Sequence, residues 1–140
     1  MNHYENNSTA GNKHAGLVPI STPLFSKTFD LLAWLIPLTL KFPRQQRFVI
    51  AKALQSTAFD LQTRLLEAAR VTDPQGRLLR ADIALATLRT QLRLAHHWQL
   101  MTDAQYEHAA RLQDEVGRLL GAWLKTAKVN AQRSQNSPSI

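Results

Sequence analysis

Residues 101–125, MTDAQYEHAARLQDEVGRLLGAWLK, combine a helix start, an apolar stripe and a pair of glycines in one segment. Thr102 is placed to cap the helix, and Gln105 three residues on can reach back to the cap amide, the reciprocal pattern of a capping box. Met101 before the cap and Tyr106 after it stand where a hydrophobic staple closes. Ala109, Leu112, Val116, Leu119 and Trp123 then recur at steps of three and four, which lays one apolar stripe along a helix for partner helices to cover. The stripe predicts a bundle.

Gly117 and Gly121 interrupt this good helix former, each costing about 0.5–1 kcal/mol relative to alanine. A compensating contact is therefore expected. Four residues apart, they clear a shallow groove beside Leu120 and Leu124 into which another backbone can pack. Two readings stand: tight packing within one bundle, or a contact between subunits, since the groove lies beside the stripe. Gly117, Leu120, Gly121, Trp123 and Leu124 are the candidate assembly residues. The same spacing marks a membrane helix dimer only inside an apolar segment, and Asp114, Glu115 and Arg118 exclude that here.

Working back along the chain, the pattern predicts three more helices. One runs from about Arg77 to Trp98 with Leu78, Leu85, Leu88, Leu92 and Ala95 on one seam and Leu79, Ile83, Ala86, Leu94 and Trp98 on a second. A single seam satisfies a monomeric bundle, so the second predicts either a wide buried face or a contact with a neighbouring subunit, self-association being the reading favoured. Asp73-Pro74-Gln75-Gly76 suits a type I turn. Before it, Ala51, Leu54, Ala58, Leu61, Leu65 and Ala68 give a heptad-like seam for a long helix over 44–70. Phe42-Pro43 breaks the chain. The first helix is expected from Thr22-Pro23, with Phe25, Phe29, Leu32 and Ile36 on its face and a kink at Pro37, ending near Lys41. Residues 1–21 and 129–140 are polar, without periodicity, and are expected to be disordered tails around a 22–128 domain. The fold class is all-α, an up-down-up-down four-helix bundle.

With 44% hydrophobic residues over 140 positions, the chain can bury one core and has no case for two domains. No cysteine is present, which excludes disulfides and thiolate metal sites and leaves a cytoplasmic location as the expectation. The polar N-terminus lacks a signal-peptide pattern, and the apolar run at 29–40 is too short to span a bilayer. A di-metal bundle site needs inward glutamates and Glu-x-x-His pairs, and none occurs. His96, His97 and His108 have no ligand spacing, and no phosphate loop or nucleophile–base pair stands out. No metal, cofactor or catalytic residue is expected.

A net charge of +7 points instead to an acidic partner such as nucleic acid. The excess is localised: residues 44–70 carry five Lys or Arg against two acids, 77–98 four against one, and 103–128 four against four. Arg89 and Arg93 lie one turn apart with His96 or His97 continuing the row, a positive strip rather than internal pairs. A solvated basic face and a phosphate-contacting strip, with guanidinium forks on phosphate oxygens, both remain open.

ADIALATLRTQLRLA at 81–95, residues 101–125 and FDLLAWLIPLTLKFPRQQRF at 29–48 resemble the accessory variability determinant (Avd) proteins of diversity-generating retroelements, over about residues 24–128. The EVGRLLGAW run with its MT-x-x-Q-x-E start carries most of the likeness. The family is similar in turn to four-helix bundles encoded in intervening sequences of ribosomal RNA genes. The resemblance implies a non-enzymatic partner of a reverse transcriptase, a barrel-shaped homopentamer that binds the enzyme and template RNA, with DNA as a further candidate, during mutagenic copying. Arg89 and Arg93 match the family's paired arginines, and Arg44 a further basic position. Together with Arg47, Arg64 and His97 they form the candidate binding set. Gly117, Gly121 and Trp123 match a packing motif. The competing expectation is a structural homo-oligomer with no nucleic-acid role.

Overall fold

The computed structural model describes residues 18–136, with side chains from position 22 onward. Four helical stretches follow one another: α1 is Val18–Thr39, α2 spans 44–68, α3 is Gln75–His97 and α4 is Asp103–Gln135. Each packs against the next, and α4 closes the ring onto α1. Short links force antiparallel neighbours, so the described residues form the expected up-down-up-down bundle.

The core is a cylinder of leucine and alanine. The seam of α2 is buried as its spacing predicts, from Ala51 through Ala68, and so is the first seam of α3. On α1 the expected face is met in part: Leu32 is buried and Phe25 and Ile36 pack half-buried against the core, but the most deeply buried row is Leu24, Thr28, Leu31, Leu35 and Thr39, and Phe29 is 65% exposed. Two threonines can occupy core positions because the hydroxyl of Thr28 donates to Leu24 O at 2.8 Å and that of Thr39 to Ile36 O at 2.7 Å. Thr39 also accepts from Gln55 Nε2 at 2.9 Å, tying the end of α1 to α2.

α4 begins as its sequence indicates. Gln105 N donates to Thr102 Oγ1 at 3.1 Å and Thr102 N to Gln105 Oε1 at 2.9 Å, and Met101 is buried. Its buried row is Ala109, Gln113, Val116, Leu120 and Ala127, rotated from the expected stripe, so Leu112, Leu119 and Trp123 flank the core. The helix also continues to Gln135, past the expected end at 128. No proline or glycine occurs between Gly121 and Gln135, and Ala127 and Ala131 keep a turn-by-turn apolar spacing beside Thr72, Asp73 and Pro74. At the other end α1 starts at Val18, ahead of Thr22-Pro23, since Pro19 suits a first helical turn and Pro23 keeps a helical φ. The remaining tail residues, 1–17 and 137–140, lie outside the described residues.

The α2–α3 link is tighter than the expected turn. Pro74 is the cap itself, Gly76 is already helical, and Asp73 Oδ1 accepts from Gln75 N at 3.2 Å. α3 ends in a Schellman pattern, with Gln99 N donating to His96 O and Leu100 N to Ala95 O, both at 2.9 Å. This geometry places Gln99 at φ 61, in the left-handed region that favours glycine. Gln99→Gly should therefore raise stability by about 0.5–1 kcal/mol. Urea unfolding checks this; a lower midpoint would contradict it.

Candidate nucleic-acid and partner interface

α2 starts with a defect that controls what it presents. Arg47 stands seven residues before Leu54, so an uninterrupted α-helix would aim it into the core. Residues Arg47–Ala51 instead form a π turn, in which Lys52 N bonds to Arg47 O. The wider turn leaves Arg47 exposed, with its Nε donating to Phe42 O at 2.8 Å, and buries Ile50 and Ala51. Arg44, Phe48 and Val49 then face solvent.

Because α2 and α3 are antiparallel, the start of α2 and the end of α3 share one end of the bundle. Arg93 and His97 lie exposed in the last two turns of α3, and Trp98 follows. Four members of the expected binding set, Arg44, Arg47, Arg93 and His97, are thus brought to the same end. Lys52, counted among the cations of 44–70 but not placed in the binding set, and Lys41, outside the counted segments, join them. No Asp or Glu occurs over residues 31–59 or 83–102, and the acids of this end are Asp103, which pairs with His96, and Glu107 at the start of α4. Among the described residues, no carboxylate pairs with Lys41, Arg44, Arg47, Lys52 or Arg93.

The other two members belong elsewhere. Arg64 sits in the groove between α2 and α3 and pairs with Asp60 at 3.3 Å and Glu67 at 3.5 Å on its own helix. Arg89 corrects the expectation of a strip free of internal pairs. It lies on the flank of α3 that faces α4, where Nη2 reaches Gln113 O at 3.4 Å and Asp114 Oδ1 at 3.5 Å. Gly117 makes room for it: a Cβ there would stand 2.6 Å from Arg89 Nη2. The pair is exposed, so its contribution to stability is small, but it holds the guanidinium against α4.

The glycine groove therefore divides. Gly117 accommodates the chain's own arginine, and Leu120 is fully buried in the core, so neither lies on a free groove. Trp123 and Leu124 are half-buried against the core. Gly121 is exposed, and a Cβ at that position would have open space for 4 Å around it. The second seam of α3, by contrast, is where its spacing places it: Leu79, Ile83, Leu94 and Trp98 are exposed. A separate apolar face carries Phe29 on α1 with Phe59 and Leu66 on α2, residues that the seam pattern did not single out as surface.

His96 is engaged. Its Nε2 lies 2.7 Å from Asp103 Oδ1, and its ring stacks on Tyr106 with centroids 4.3 Å apart, which fastens the end of α3 to the start of α4. His108 meets the Trp34 ring edge-on at 4.7 Å. Among the described residues no group of three or more His, Asp or Glu could hold a metal ion, and no helix is long and apolar enough to cross a membrane.

These features define an all-helical bundle with an unpaired basic end and apolar faces left open on its flanks. A family model described as bAvd-like matches residues 24–127, nearly the whole of that bundle, and the chain belongs to the bAvd-like family. No curated protein matches the chain.

Proposed function

We propose that the chain is a non-catalytic accessory variability determinant, which binds a retroelement reverse transcriptase and its template RNA and supports mutagenic reverse transcription. The observation that carries this reading is the basic end of a bundle from this family, where Lys41, Arg44, Arg47, Lys52 and Arg93 have no carboxylate partner among the described residues. Unpaired cations on one surface suit phosphate oxygens, and nothing in the helices resembles a base-reading module. Arg89 and Arg64, already paired, have a secondary part in it.

Assembly belongs to the same proposal. A closed ring requires two different, complementary patches on each subunit. The α3 face of Leu79 and Ile83 and the α1–α2 face of Phe29, Phe59 and Leu66 supply two such patches on different sides of the bundle. Five subunits is the number that the family resemblance implies. A ring repeats the basic end around its axis, which multiplies contacts to one RNA.

Binding to an unstructured RNA should weaken steeply with salt. Four or five phosphate contacts per subunit correspond to a slope of about −3 in log affinity against log salt for a single strand. Fluorescence anisotropy across a salt series measures it. No binding at low salt, or affinity independent of salt, would contradict the proposal and favour a purely structural oligomer.

A further inference from the structure

We propose that the basic end of the bundle selects unpaired nucleic acid, by stacking bases on Phe48 and Trp98. This rests on the nucleic-acid contact proposed above and adds the form of nucleic acid and the residues that choose it.

Phe48 is 76% exposed and Trp98 51% exposed. Phe48 is turned outward by a specific backbone device. The π turn at Arg47–Ala51 presents Phe48 together with Arg47. Trp98 continues the exposed seam of α3 and stands at the helix cap, where the Schellman turn with Gln99 at φ 61 ends the helix. The helix register brings the two segments to one level. Thr57 and Arg64 of α2 line one groove with Thr87 and Arg80 of α3. Continued toward the open end, that antiparallel register sets positions 46–49 of α2 level with about 95–98 of α3. Two solvent-facing rings thus stand at the same end as five cations without a carboxylate partner, where the acids are Asp103, already paired with His96, and Glu107 at the start of α4.

That combination matches how proteins hold single strands: cations follow the phosphates while aromatic faces stack on bases, a contact every base can make. A duplex keeps its base faces within its own stack, so it gains only the phosphate contacts. An apolar protein surface would also cover the rings, but it would leave five cations without counter-charge. Charge complementarity therefore favours nucleic acid.

The test compares a uridine oligomer of about 20 nucleotides with a duplex of the same length, using the full chain, Phe48→Ala with Trp98→Ala, and Phe48→Leu with Trp98→Leu. The leucine pair keeps apolar bulk and guards against a folding defect. Each ring removed should weaken single-strand binding about tenfold or more. Duplex binding and the salt slope should not change, because the cations remain. Both double variants binding the single strand like wild type, while Arg44→Glu with Arg93→Glu abolishes binding, would overturn stacking and leave the electrostatic contact standing. Unchanged RNA binding with lost capture of the reverse transcriptase would overturn it in favour of a protein contact. A wild-type chain that binds neither probe would overturn the function on which stacking rests.

Discussion

Replacing Arg44 and Arg93 together with glutamate should abolish association with RNA, a loss of at least about a hundredfold at low salt. Both side chains are exposed, at one end of the bundle, without an acidic partner among the described residues. The change removes two charge-assisted hydrogen-bonding groups and sets two carboxylates against the phosphate backbone. Like-charge contacts of this kind cost several kcal/mol at an interface. The fold should persist, since exposed substitutions usually alter stability by less than about 0.5 kcal/mol each. Arg89→Glu provides the contrast. Its partner is Asp114 and its guanidinium lies over Gly117, so it should disturb the α3–α4 contact and weaken RNA binding far less. Equal losses from both variants, measured by anisotropy beside circular dichroism, would return Arg89 to the binding surface.

The second large effect concerns assembly. If the proposed ring forms, Ile83→Asp with Leu79→Asp should dissociate it to subunits of 15.8 kDa while helix content stays nearly constant. Ile83 is 65% exposed in the protomer, so a carboxylate there is harmless to the isolated bundle. Inside an interface it is desolvated without a partner, which costs several kcal/mol per site in a contact repeated around a ring. Phe59→Asp on the opposite patch should act alike, because a head-to-tail interface needs both surfaces. Sedimentation equilibrium decides it: an unchanged oligomer in both variants would remove these faces from the interface. A wild-type chain at the monomer mass would remove the ring.

Periodicity reported the fold well where apolar residues alone line the core. The seams of α2 and α3 follow from leucine and alanine spacing, and Thr102 with Gln105 announces the start of α4. Rotation was illegible on α1 and α4 because Thr28, Thr39 and Gln113 occupy buried positions that a hydrophobic pattern reads as surface. Their hydroxyl or amide donors are satisfied by carbonyls three or four residues back on the same helix.

The site was partly legible. Charge counting found the basic helices but could not divide their arginines, because pairing depends on the neighbouring helix: Arg89 meets Asp114 only once α3 and α4 are packed. Arg47 held the missing signal. A charged residue two turns before Leu54 conflicts with a continuous seam, and the π turn resolves that conflict by turning Arg47 and Phe48 outward. The carboxylate-free segments at 31–59 and 83–102 were also readable, though only the antiparallel packing shows that they meet.

The most direct measurement is co-elution of the wild-type chain with a retroelement reverse transcriptase and its template RNA on size exclusion. At about 50 mM salt the three should migrate as one complex, which dissolves as salt rises through a few hundred millimolar. A chain that elutes alone at low salt, with neither the enzyme nor the RNA, would contradict an accessory role.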